Sequence, residues 1–595
     1  MAATPQQAPD PSSKITWTLT LPDGSTAENV PDRWFVELAS PSQAAGGSSA
    51  TISAEQDALV KAMDDADIDA SVTTRYGELW NGVAVSVEDS KVEELAALDQ
   101  VVSVSPVAVV PAPQDTDADS ALTQAERDEG VTSPQMLHAK SLTGADVAQS
   151  QLGFTGKDIK IGIIDTGVDY DHVEFGGSGT PGAEAPGGDG STSFPNAKVT
   201  GGYDFVGNAF GDRSLPADQR FATHPDDYPD DCNGHGTHVA GIAAAKGDPA
   251  AGQIVGVAPD ATISAYRVFG CSGSTSSEVL AAAMARAASD GMDVVNMSIG
   301  ADFMVFTSYP TAVSADALAA KGVITVVSQG NAGTAGRWSM GAPASARNVI
   351  AVGSIDNVTE HNYYLTVSTN AGQHFAYSPS SGTTSPVVRD DNTSYPLVAA
   401  GAVDSAEALM CQPVASGTFT GKAVIVRRGD CNFHTKVRNA QDAGASVVLL
   451  ENNTDGTVNA NVAGDTKITI PVATITKEAG EAIRTALAAD STLTFSQDST
   501  DFPLATAGRI SDFSSWGLND QLAMKPDVVA PGGRIWSTWP LDHGGPYKTL
   551  DGTSMASPHT AGAVALLLQA HPEIKAIGSA EATTAVAWRL HSTAT

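Results

Sequence analysis

The sequence predicts an α/β protein of the open-sheet kind, with a small α+β unit ahead of it and a second α+β stretch inserted in it. Two apolar runs carry the first part: Ile159 to Ile164, which ends at Asp165, and Val323 to Val327, which ends in Ser328-Gln329-Gly330-Asn331. Both have the length and composition of buried strands, and open α/β sheets place their sites at such strand ends. Small-residue helical patterns at 239 to 245 and from Ala561 to Leu568 supply the covering helices. The third observation is length, because 595 residues exceed one hydrophobic core and call for two to four domains.

Taken in order, residues 1–29 form an N-terminal tail and 30–110 a compact unit. In the latter, Arg33 to Leu38 and Val83 to Val87 are strands, Ala54 to Asp65 and Ser90 to Leu98 are helices, and Val101 to Val104 is a closing strand. A shorter strand is expected at Ala70 to Tyr76. Alone, this is the pattern of a ferredoxin-like interaction module. Residues 111–130 are acidic and poor in apolar side chains, as a linker is. Further apolar strands are expected at Val349 to Gly353 and, far downstream, around Lys525 to Gly533. Between them, 358–502 has its own strands at Lys422 to Val426, Ser446 to Leu450 and Ile470 to Ile475, and a helix from about His434 to Ala443.

Four segments carry chemistry. Gly552-Thr553-Ser554-Met555-Ala556-Ser557-Pro558 mounts a hydroxyl among small residues just ahead of a helical pattern, where first-turn amides can face a developing negative charge. A serine hydroxyl is nearly inert at neutral pH and needs a base, which itself needs an orienting carboxylate. Asn233-Gly234-His235-Gly236-Thr237-His238 sets an approachable imidazole between glycines, and Asp165-Thr166-Gly167 sets a carboxylate at a strand end. Asn331 can donate a neutral amide hydrogen bond to an oxyanion.

These four segments, in the chain order Asp, His, Asn, Ser, resemble those of the subtilisin family of serine proteases, over roughly 131 to 357 and 503 to 595. The resemblance implies a three-layer fold with a central parallel sheet, in which Asp165 orients, His235 is the general base and acid, Ser554 attacks, and Asn331 binds the oxyanion. It also implies that Ser298, Ile299, Gly300, Ser328 and Gly330 wall the primary specificity pocket. Residues 30–110 are similar to the family's inhibitory propeptide, an intramolecular inhibitor of its own chain released by cleavage between about Val110 and Ser133. The Arg428-Gly429-Asp430-Cys431-Asn432-Phe433 segment and the helix after it resemble the protease-associated domain. In related proteases such inserts influence substrate access or partner binding, and a passive spacer is the other reading. The expected substrates are proteins or peptides. Relatives usually continue with a further strand and helix, and often with β-sandwich domains, beyond the point that corresponds to Thr595.

Other readings of the same residues are weaker. His235 and His238 lack the third ligand and general-base glutamate of a zinc-protease helix. Gly234 and Gly236 lack the third glycine and the ribose-binding acid of a dinucleotide fingerprint. Asp204, Asp226, Asp227, Asp230 and Asp231 crowd the region before His235, which is either a solvated face or a structural calcium site; no cofactor is needed for the chemistry itself.

With 33 basic and 68 acidic side chains the net charge is −35, which repels nucleic acid and anionic membranes. No run of eighteen apolar residues predicts a membrane span. The four cysteines fall into local pairs, Cys232 with Cys271 and Cys411 with Cys431, favouring two disulfides and an oxidising, extracellular setting. The first residues lack the basic and apolar regions of a secretion signal, so a secreted protein would have its signal outside this sequence.

Overall fold

A computed structural model of the chain describes residues 14–15, 27–112, 135–182, 194–454, 458, 460–543 and 545–593. Most of the expected tail (1–29) and nearly all of the expected linker (111–130) lie outside those residues.

By its internal contacts the chain divides into two compact units, one of which contains Asn357–Gly508. The other holds the main sheet, of seven strands in the spatial order Val528–Gly533, Ile350–Asp356, Ile324–Ser328, Val294–Met297, Lys160–Asp165, Thr262–Arg267 and Val199–Asp204. Every neighbouring pair is parallel. The sheet explains the apolar runs: Ile161, Ile163, Val294, Val326 and Val352 are fully or almost fully buried among helices, so no polar alternation is needed.

Two helices meet on one face. The histidine helix, His235–Ala244, packs on the serine helix, Thr553–Ala570, through a shared cluster that includes Val239, Ala240, Ala243, Met555, Ala561 and Val564. Both begin earlier than their apolar patterns suggest. The sequence patterns mark only the stretches with helical apolar spacing, whereas the first turns carry the polar site residues.

The N-terminal α+β part forms a sheet in the order Ala70–Tyr76, Gly82–Val87, Asn29–Leu38 and Val101–Pro111, antiparallel throughout, with the helix Ser49–Asp65, between Asn29–Leu38 and Ala70–Tyr76 in the chain, burying Ile52, Leu59 and Met63. Its last strand is longer than expected. Val109, Val110 and Pro111 continue past the sheet to pair antiparallel with Ser276, Thr275 and Ser274 of the α/β core. Local sequence could not show this, because the partner lies some 165 residues downstream.

The second unit is described by itself. Its eight-stranded sheet includes parallel strands Ser394–Ala399, Ala423–Arg427, Val447–Glu451 and Val472–Ile475, with the helix Phe433–Asp442 between the second and third of them and the helix Lys477–Ala486 after the fourth. A long strand, Thr492–Pro503, pairs antiparallel with Thr359–Val367. Two disulfides join Cys232 to Cys271 and Cys411 to Cys431, and no cysteine is free. No helix among the described residues is long and apolar enough to cross a membrane.

Candidate active site

Asp165 is the last residue of a central strand and is fully buried. Its Oδ1 lies 2.7 Å from Nδ1 of His235 and also accepts from the Thr166 amide at 2.8 Å. A carboxylate on Nδ1 keeps the proton on that nitrogen, so Nε2 carries the lone pair that a general base requires.

A buried network joins the two segments that carry this pair. Asp231 Oδ1 accepts from the Thr166 hydroxyl and from the amides of Asn233 and Gly234, each at 2.9 Å. Its Oδ2 accepts from the Thr237 amide at 2.9 Å and hydroxyl at 2.6 Å. The Thr166 hydroxyl oxygen in turn accepts from the Gly236 amide at 2.7 Å. The two segments touch so closely that a Cβ on Gly236 would stand 2.1 Å from the Gly167 carbonyl oxygen. The glycine after the histidine is therefore a steric requirement.

Ser554 is the second residue of its helix and is 7% exposed. Pro558 inside that helix has no N–H to give the Ser554 carbonyl four residues earlier, and the Ser298 hydroxyl donates to that carbonyl instead at 2.7 Å. The Ser554 hydroxyl donates to the Ser298 carbonyl at 3.2 Å. Attack on a substrate requires that hydroxyl to turn to a base, a torsional change that resting active sites commonly need.

Asn331 is fixed from the serine side. Its amide oxygen accepts from the Thr553 amide at 3.0 Å and the Thr553 hydroxyl at 2.8 Å. A backbone N–H can only donate, so Oδ1 is assigned and the NH₂ group is left to donate elsewhere. A Cβ on Gly552 would stand 3.3 Å from Nδ2, and 3.4 Å from the Ser554 amide nitrogen, so both donors face one small space. Ser328 ends its strand, and Gly330 donates its amide to the Thr553 hydroxyl at 3.2 Å. Ser298, Ile299 and Gly300 follow the strand Val294–Met297.

His238 packs beneath the site as an uncharged side chain. It is buried completely, its Nε2 lies 3.1 and 2.9 Å from the carbonyls of Ile535 and Lys548, and burial pushes its pKa down to about 3.

The five aspartates do not converge on an ion. Asp204 faces Arg267 at 3.4 Å and caps the amides of Val206 and Gly207, Asp226 caps the amide of Tyr228, Asp230 caps that of Asp231, and Asp231 is committed to the site. Among the described residues no group of three or more His, Cys, Asp or Glu could hold a metal. The five therefore do not gather into one donor set for calcium among the described residues.

Sequence reasoning gave no role in the site to Thr553 and Thr166, and read Asp231 only as one of five crowded aspartates. The sequence signal was the position of the threonines next to Ser554 and Asp165, and of Asp231 four residues before His235.

A family model described as the subtilase family, Peptidase_S8, matches residues 156–593, and the chain belongs to that family. It is similar to the minor extracellular protease Vpr of Bacillus subtilis (strain 168), 34% identical over 526 residues that cover 87% of this chain and 58% of that protein. It is also similar to the PI-type proteinase of Lactococcus lactis subsp. cremoris, 28% identical over 550 residues, covering 86% and 27%. The subtilisin-like protease SBT1.5 of Arabidopsis thaliana is 29% identical over 496 residues, covering 76% and 61%. The chain thus spans less than two thirds of the length of these curated relatives.

Proposed function

We propose that this chain is a serine endopeptidase that acts through an acyl-enzyme on Ser554. The observation that carries the reading is the 2.7 Å contact of Asp165 with His235, clamped by Asp231 beside the helix that presents Ser554. Nε2 of His235 takes the Ser554 proton as Oγ adds to the peptide carbonyl. Negative charge on the former carbonyl oxygen is met by Nδ2 of Asn331 and the Ser554 amide, which are already placed and need no reorganisation. The imidazolium gives its proton to the leaving amine, and water repeats the sequence to free the acid. No step requires a cofactor.

The same reading makes residues 30–110 an inhibitory propeptide, 111–130 a processing linker, 131–357 and 503–595 the catalytic domain, and 358–502 a protease-associated insert. Support comes from the antiparallel pairing of Val109–Pro111 with Ser274–Ser276, the way an extended peptide docks on a strand edge. Docking is reinforced at Glu278, where Arg33 (2.8 Å) and the Thr73 hydroxyl (2.7 Å) meet its carboxylate and the Tyr76 hydroxyl its carbonyl (2.9 Å). Two disulfides and one relative named as extracellular support secretion.

Self-processing tests this. The full chain should cleave itself between about Val110 and Ser133, and Ser554→Ala should stay intact. The same fragments from both would show that another protease makes the cut.

A further inference from the structure

One charged side chain stands on the pocket walls. The strand Ala301–Asp302 continues directly from Ser298–Gly300 and pairs antiparallel with Gly341–Ala342, with Asp302 opposite Gly341. Asp302 Oδ1 lies 2.8 Å from the point where a Cβ on Gly330 would stand, and Ser515 Oγ lies 2.9 Å from the same point. Gly330 has φ +112°, and its missing side chain leaves that space open. A carboxylate, a hydroxyl and a glycine from three distant stretches thus converge beside the Ser328–Gly330 wall.

The carboxylate lacks the donors that Asp165 and Asp231 have. Asp231 accepts from five donors over its two oxygens and Asp165 from two on Oδ1, whereas the half-buried Asp302 carboxylate has no hydrogen-bond or ion-pair partner among the described residues. Around it Ile299, Ala301, Met340 and Ala342 belong to one buried apolar cluster. Burial accordingly pushes its carboxyl up to about 6. The half-buried carboxylate keeps access to solvent and so to an incoming charge, and an acid with a raised pKa beside a cleft marks a candidate functional group.

We propose that Asp302 sets the primary specificity of the site by receiving the cationic side chain, lysine or arginine, of the substrate residue on the amino side of the scissile bond. The inference rests on the reading of Ser298–Gly300 and Ser328–Gly330 as the pocket walls. Lysine and arginine suit the place chemically: their methylene stems pack along apolar walls while the charged head reaches a carboxylate. A leucine or phenylalanine would remove water from Asp302 and give it no partner. A charge-assisted hydrogen bond in such a setting is worth roughly ten- to a hundred-fold in binding.

The test is kcat/KM on peptides that differ only at that residue (Lys, Arg, Leu, Phe), for the wild type and for Asp302→Asn, with active enzyme counted by fluorophosphonate titration of Ser554. The wild type should favour Lys or Arg over Leu by at least about tenfold, and Asp302→Asn should lower that ratio roughly ten- to a hundred-fold. Normal labelling of Ser554 with a preference for Leu or Phe, or a ratio unchanged by the substitution, overturns the inference and leaves the peptidase reading standing. Failure to label Ser554 at all overturns both.

Discussion

Thr553 holds Asn331 by its amide oxygen, through an amide at 3.0 Å and a hydroxyl at 2.8 Å. The residue before Ser554 therefore decides which way the Asn331 amide points. The first turn of the Ser554 helix thus fixes the Asn331 side chain, although the two residues are separated by more than 200 residues of chain that include Asn357–Gly508.

Removing the donor should act on the transition state alone. Asn331→Leu is expected to lower kcat by about 10²- to 10³-fold with little change in KM, a range that derives from the equivalent asparagine of subtilisin itself. Thr553→Val should give a smaller loss, because it frees the amide to turn without removing it. Steady-state kinetics on one peptide substrate separates the two.

Gly236→Ala should fail differently. The new methyl would stand 2.1 Å from the Gly167 carbonyl, so the His235 segment must move away from the Asp165 segment. Even a shift of about 1 Å in such a constellation costs on the order of a hundredfold. The variant should fold by circular dichroism and lose nearly all activity.

Asp231→Ala leaves three backbone amides and two hydroxyls without their acceptor inside the protein. A loss of about 3 kcal/mol is expected. Urea unfolding in a Ser554→Ala background, which prevents self-digestion, measures it.

A second buried network sets a pH window for stability. Glu174 and His172 are both fully buried, with Oε2 2.5 Å from Nδ1, and the Tyr547 hydroxyl donates to Glu174. Burial alone would push the His172 imidazole down and the Glu174 carboxyl up, but each partner outweighs it: His172 is held above the ordinary 6.5 and Glu174 below 4.5. The raised imidazole stabilises fully below 6.5 and loses its contribution as pH rises through its folded value. The lowered carboxyl stabilises fully above 4.5 and loses its contribution as pH falls through its folded value. The stability gap between parent and Glu174→Gln, about 3 kcal/mol, should thus be greatest between about pH 4.5 and 6.5 and narrow on both sides.

The sequence was most legible where chemistry sits next to strong local pattern. Ile161 to Ile164 marks a buried strand by itself, and Asp165 at its end needs no distant information. Small residues around His235 and Ser554 likewise announce close approach. What stayed hidden depends on pairing across the chain. Val109–Pro111 looks like the start of a linker until Ser274–Ser276 is beside it. Asp302 looks like an ordinary surface acid until Gly330 and Gly341 are brought to it. Asp231 was one of five crowded aspartates, and only the fold shows that its oxygens serve Thr166 and Thr237.

The central claim is that Ser554 is a nucleophile activated by His235 and Asp165. Mass spectrometry after treatment with a fluorophosphonate reads this directly. The account predicts a single adduct on the peptide that contains Ser554, abolished in Ser554→Ala and slowed by several orders of magnitude in His235→Ala. Processed, folded protein that takes up no label at Ser554, or that labels equally well without His235, would contradict it.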